Sequence, residues 1–147
     1  MGETNKVVEV TQRVGFSCSY LTLKDNKYDL NSINYKFEAT VCGDSNYQTE
    51  GRVISFEDFT RAIKSILPDK SFIYSRNDLS ESELAKAFKK CGICTYSIWE
   101  SISAERLLNE ISLMLVEALK VYPGVHLKET KLRENSNSYV SWKQEEI

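Results

Sequence analysis

The sequence predicts an α+β domain in which helices cover one face of an antiparallel sheet. Three observations carry this expectation. Apolar residues alternate with polar ones near both ends of the chain, they recur at helical spacing in the middle, and no internal repeat or low-complexity segment interrupts that order. A length of 147 residues suits one domain spanning 1–147 rather than two.

Val7 to Leu21 reads as a long strand, because Val8, Val10, Val14, Phe16 and Cys18 fall on alternate positions, broken only by Gln12. The polar run Lys24 to Ser32 reads as a connecting loop. Ile33 to Cys42 follows as a second strand, with Tyr35, Phe37, Ala39 and Val41 on one face and Lys36, Glu38 and Thr40 on the other. Gly43 to Asn46 is a turn, and Arg52 to Ile54 a short extended piece. Ser55, with Asp58 three residues on, is placed as the N-cap of a helix whose stripe is Phe59, Ala62, Ile63, Ile66 and Leu67, ended by Pro68. Ser80 and Glu83 form a capping box that opens a short helix through Lys89, stopped by Gly92, and Ile93 to Trp99 reads as a strand. A third helix runs from about Ser103 to Tyr122 on Ala104, Leu107, Leu108, Ile111, Leu115, Ala118 and Leu119, closed by Pro123 and Gly124. Val125 to Lys131 and Ser138 to Lys143 are the last two strands, joined by the polar turn Arg133 to Asn137.

Composition narrows the function. With 41% hydrophobic and 27% charged residues the chain has material for a core, which argues against disorder or a disulfide scaffold. Nineteen basic residues against 21 acidic ones leave a formal charge of −2, so no nucleic-acid partner is expected. No apolar run is long enough for a membrane span, and Met1 to Lys6 carry no signal-peptide core, so a cytoplasmic location is expected. In that compartment Cys18, Cys42, Cys91 and Cys94 read as free thiols. The single histidine, His126, excludes any two-histidine metal site and restricts a Ser–His–Asp or Cys–His arrangement to its own surroundings.

Glu129 is the most informative side chain. Strand alternation places it with Val125 and Leu127, opposite His126, Lys128 and Thr130, so its carboxylate extends an apolar row. A partly desolvated carboxylate needs a partner, and a ligand with two adjacent N–H donors supplies one in bidentate fashion. The plainer reading is an ordinary residue at a solvated strand end. Cys91-Gly92-Ile93-Cys94 spells C-x-x-C, but it lies between a helix and a strand and lacks further zinc donors nearby, which favours two structural thiols. His126 reads as structural or surface, and Asp69-Lys70 as a solvated acid–base pair after Pro68.

Several segments then fall into register with one family. The chain resembles the 6-pyruvoyltetrahydropterin synthase and 6-carboxytetrahydropterin synthase family, members of the tunnelling fold. Gly15-Phe16-Ser17-Cys18-Ser19-Tyr20 is similar to the family's Phe-Ser-Ala-Ala-His strand end, and Leu30-Asn31-Ser32-Ile33-Asn34-Tyr35 to its Leu-His-Gly-His-Asn-Tyr. Gly51-Arg52-Val53-Ile54-Ser55-Phe56 is similar to Gly-x-Val-x-Asp-Phe, and Asp69-Lys70-Ser71-Phe72-Ile73-Tyr74 sits where Asp-His-x-x-Leu-Asn stands. Ser103-Ala104-Glu105-Arg106-Leu107 matches Thr-Ala-Glu-Asn-Leu, and Val125 to Thr130 matches the closing strand with its Glu-Thr. The resemblance covers nearly the whole chain. It implies a four-stranded antiparallel sheet with helices on one face, oligomerising into a β-barrel: a homo-oligomer, as a hexamer or a trimer, with pockets between subunits.

The departures from the family bear on chemistry. The family holds zinc through three histidines, and those positions are Tyr20, Asn31 and Ile33, so no metal and no other cofactor is expected. The family's catalytic cysteine falls at Lys27 and the histidine of Asp-His at Lys70, leaving Asp69 of that triad. The resemblance retains the ligand anchor, Glu129, with Ser103, Ala104 and Glu105 beside it, and Tyr20, Asn31 and Tyr35 line the former metal site. Three readings stand. The favoured one is a zinc-independent lyase, cyclase or isomerase acting on a pterin, a deazapurine or a similar flat heterocycle held by Glu129, with Lys70, Asp69 and Lys27 as acid–base or Schiff-base groups. The alternatives are a non-catalytic ligand-binding or scaffold homologue, and the family reaction with its metal held in an unusual way.

Overall fold

Two strands of 18 residues each, β1 (Val7–Lys24) and β2 (Lys27–Asp44), form one long antiparallel hairpin with Lys24 opposite Lys27 at its tip. The computed structural model describes residues 7–25, 27–44, 53–75, 83–98 and 102–144. The turn is carried by Asp25 in the left-handed region (φ 52°), a conformation that Asp tolerates better than most side chains. Lys24 to Ser32, expected as a loop, is therefore mostly strand. Its polarity has a simple cause: Tyr28 to Ser32 stand beyond the helices and are exposed, so no apolar face is needed there.

The remaining elements are α1 (Phe56–Ile66), β3 (Ser71–Ser75), α2 (Glu83–Lys90), β4 (Thr95–Ile98), α3 (Ala104–Ala118) followed by a 3₁₀ turn (Leu119–Val121), β5 (Val125–Arg133) and β6 (Tyr139–Lys143). The expected cap Ser55 is present, accepting from the Asp58 N–H at 3.0 Å, and Ser103, which the sequence marked only as the start of a helix, caps α3 by accepting from the Arg106 N–H at 3.2 Å. Ser80, Ser45, Asn46, Arg52 and Trp99, which carried parts of the expected elements, lie outside the described residues.

The sheet has six strands in the order β4-β3-β1-β2-β5-β6, not four. The four expected antiparallel strands form its larger part, but β3 runs parallel to β1 and β4 parallel to β3. Ser71–Ser75 alternates buried and half-buried positions over only five residues, too short a run for periodicity to distinguish from a loop. The helices also divide between the two faces. Phe16, Tyr35, Phe37, Ala39 and Val41 are buried with Phe59 and Ile63 of α1 and Leu107, Leu108, Ile111 and Leu115 of α3. Full burial of each large apolar side chain contributes about 1.5–3 kcal/mol. Phe72, paired with Ser19 on the other face, instead stacks on Phe88 of α2 at 4.9 Å between ring centroids.

Elsewhere that second face is polar, and it reads across the strands in rows. Thr11 bonds Thr40 at 2.8 Å, Arg13 bonds Glu38 at 2.6 Å, Ser17 bonds Asn34 at 2.6 Å and Ser19 bonds Ser32 at 2.8 Å. Where β2 meets β5, one bulge between Thr40 and Val41 shifts the register. Among the described residues, no helix is long and apolar enough to cross a membrane.

Candidate functional site

A cavity of about 780 Å³ lies over the polar face where β1, β2 and β5 meet the 69–70 turn and residues 134–136. Gly15 opens it. The carbonyl oxygen of Tyr35, 3.7 Å from where a Cβ would stand, is the one atom near that position, so the strand is bare between Arg13 and Ser17. One wall is fixed by a clamp on Ser17: Asp69 Oδ1 accepts its N–H at 3.0 Å, and its carbonyl accepts the Lys70 N–H at 2.6 Å. The turn that does this places Lys70 in the left-handed region (φ 57°), a strain of about 1 kcal/mol or more for a residue with a side chain. The opposite wall begins at Glu134. Behind it Asn135 Oδ1 accepts the N–H groups of Asn137 and Ser138 at 2.8 and 3.0 Å, which sets the turn into β6.

Beneath this cavity is a buried phenol pair. Tyr35 lines the cavity, and its hydroxyl meets that of Tyr20 at 2.6 Å. Burial pushes both phenols above the ordinary tyrosine range, and the Glu134 carboxylate adds to the shift. Burial, then the charge of Asp69, pushes the neighbouring Cys18 thiol up to about 12. At neutral pH this layer is therefore uncharged and presents O–H and S–H groups.

The same shifts set an alkaline limit. The Cys18 thiol ionises from about 9 in the unfolded chain and only near 12 in the folded one, so its contribution is complete below pH 9 and is lost as pH rises toward 12. The urea midpoint is expected to fall between pH 8 and 10, and to fall less in Cys18→Ala. A midpoint that stays level over this range in the wild type contradicts the burial of Cys18.

The zinc positions implied by the resemblance carry poor donors. Ile33 has none, Asn31 is exposed opposite Tyr20, and the Tyr20 hydroxyl is engaged by Tyr35 and held well above its usual range. No group of three His, Cys, Asp or Glu side chains gathers among the described residues, and His126 pairs with Cys42 far down β5. These residues do not fit a zinc ion.

Of the other candidates, Asp69 and Tyr35 meet at the cavity. Lys70 is exposed beside it, and Lys27 lies at the hairpin tip. Ser103 caps α3, Ala104 is half-buried, and Glu105 is exposed in the first turn, with its charge felt at Tyr35. Glu129 does not continue the row of Val125 and Leu127. The bulge places Leu127 opposite Val41 but Glu129 opposite Thr40, on the polar face, 3.9 Å from Lys131 Nζ and outside the cavity lining. Thr130 turns inward in its place, buried against Ser112 at 2.6 Å. The acid that follows β5 onto the cavity lining is Glu134, five residues on, beside Asp69 and Glu38. The signal for it was its position as the acid that ends a strand before the polar turn Asn135-Ser136-Asn137. All four cysteines are free, with Cys91 and Cys94 exposed around Gly92 at the end of α2.

A long hairpin with two helices on one face and a polar cavity on the other defines an α+β fold of the tunnelling class. Comparison with solved structures specifies it further. The fold is that of 6-pyruvoyltetrahydropterin synthase: the Plasmodium vivax enzyme superposes with a TM-score of 0.67 at 16% identity over 95% of this chain and 99% of that one. The Plasmodium falciparum synthase gives 0.66 at 17% identity with the same coverage, and that of Caenorhabditis elegans 0.59 at 16% over 96% and 98%. No family model matches the sequence, and no curated protein matches it.

Proposed function

We propose that the protein binds a flat, amide-bearing heterocycle of the pterin or deazapurine kind in this cavity and carries out a metal-independent lyase, cyclase or isomerase step on it. The observation that supports this is the pair of carboxylates, Asp69 and Glu134, on the lining of a cavity of small-molecule size. A carboxylate accepts two adjacent ring N–H groups in bidentate fashion, and this anchoring role, expected of Glu129, passes to Glu134. Asp69, held by the Ser17 N–H, is the proton acceptor.

Self-association belongs to the same reading. β1 along Val7–Ser17 and β2 along Lys27–Tyr35 each present one edge without a strand partner among the described residues, and a second copy of the chain covers such edges in a trimer or hexamer. A second functional reading, ligand binding without turnover, is favoured by one observation: the expected amines Lys70 and Lys27 both lie outside the cavity lining.

Thermal shift with pterins, deazapurines and guanine tests the site. A ligand at a hundred times its Kd adds about 2.7 kcal/mol. The upward shift is expected in wild type and Glu129→Gln and is lost in Glu134→Gln. Loss in Glu129→Gln alone returns the anchor to that residue, and no shift with any compound overturns heterocycle binding. Binding without spectral change of the ring on prolonged incubation selects the second reading.

A further inference from the structure

Going beyond the heterocycle, and independently of it, we propose that the cavity holds an oxyanion-binding subsite built on Lys36 and Arg133, which takes a phosphate or carboxylate group of a small ligand. Two neighbouring rows of the sheet show why. In one row Arg13 on β1, Glu38 on β2 and Lys131 on β5 stand opposite one another, and Glu38 answers both cations at 2.6 and 3.9 Å. In the next row the residues are Gly15, Lys36 and Arg133. Here two cations are direct cross-strand neighbours, and the third position, where a carboxylate would stand, has no side chain. Like charges opposite one another across a strand pair are destabilising, so this row is left short of one anion.

The surrounding groups favour an anion over a carboxylate from the protein. Lys36 is exposed and has no ion pair among the described residues. The Arg133 guanidinium lies 4.4 Å from the centroid of the Tyr139 ring and makes no ion pair among the described residues. In the following row the Asn34 oxygen is taken by the Ser17 hydroxyl, and on the rim the Asn135 oxygen is taken by two backbone N–H groups. Both side chains line the cavity and keep their amide N–H donors. The cavity's own carboxylates are placed elsewhere: Glu38 on Arg13, Asp69 on the Ser17 N–H, and Glu134 where its charge bears on the tyrosine pair. The missing side chain at Gly15 leaves room for the anion to reach Lys36 and Arg133, within a volume ordinary for small-molecule sites.

The test is thermal melting of the purified protein with sodium pyrophosphate or sodium citrate, each against sodium chloride at equal ionic strength. Wild type and Lys131→Gln are expected to shift upward with at least one of the two anions. Lys36→Gln is expected to lose the shift and Arg133→Gln to lose most of it, and the anion with the larger effect distinguishes phosphate from carboxylate. Without any anion, Lys36→Gln should melt at or above the wild-type temperature at low salt, because a like-charge pair has been removed. A less stable Lys36→Gln overturns the premise. Shifts absent with both anions, or equal in wild type and Lys36→Gln, overturn the subsite. The probes carry no ring, so a failure of heterocycle binding at Glu134 leaves this result standing.

Discussion

Gly43→Ala is expected to cost about 3 kcal/mol, the upper end of what overpacking does in a well-packed interior. A Cβ at this position of β2 would stand 2.5 Å from the carbonyl oxygen of Gly124 and 3.0 Å from Val53 Cγ1. The first is a backbone atom and has no rotamer by which to retreat. Gly124 cannot yield cheaply, since it sits in the left-handed region (φ 76°) at the turn that aligns Val125 with Gly43. Relief would require β5 to move away from β2, and that movement would disturb the bulge further along the same ladder. The measurement is the urea midpoint at constant m-value. A loss below about 0.5 kcal/mol, within the range of ordinary surface changes, would show that the two strands are not held this closely. Lys36 lies seven residues away along β2, about 24 Å at strand rise, so anion and heterocycle shifts should persist in the folded fraction.

Gly43 also shows where the sequence could be read and where it could not. As a glycine before Asp44 it looked like the start of a turn, and it ends a strand because its role is close approach, which one chain segment cannot reveal. The long helix, the Ser55 cap and the alternating halves of the hairpin were legible because each follows from neighbours within a few residues: Leu107, Leu108, Ile111 and Leu115 at helical spacing, Ser55 with Asp58, and Phe37, Ala39 and Val41 on alternate positions. The polar end of the hairpin was not legible, because a strand exposed on both faces carries no alternation of burial. Ser71–Ser75 was missed because it is short, and although Ile93 to Trp99 read as a strand, the parallel pairing of Ser71–Ser75 and Thr95–Ile98 comes from partners that no local pattern shows. Asp69 and Tyr35, singled out by resemblance, both fall on the cavity lining. The cation pair was not, since Lys36 and Arg133 are neighbours only through the register of β2 on β5.

Thr130→Val tests the single register change on which the assignment of the carboxylates depends. Unbroken alternation from Val125 puts Thr130 on the same side as His126, exposed, where exchange of a hydroxyl for a methyl costs almost nothing. The bulge puts it inside, fully buried, with its hydroxyl 2.6 Å from that of Ser112 on α3. Val keeps the shape and removes the partner, leaving a buried Ser112 hydroxyl unsatisfied, at a cost of about 1–3 kcal/mol. The double variant Ser112→Ala/Thr130→Val should regain part of that loss, because no buried polar group is then left alone. A neutral Thr130→Val would return Glu129 to the helix-facing side with Leu127 and restore it as the candidate anchor. A destabilised Thr130→Val that recovers in the double variant keeps Glu129 beside Lys131 on the polar face, and leaves Glu134 as the carboxylate that a ligand in the cavity meets.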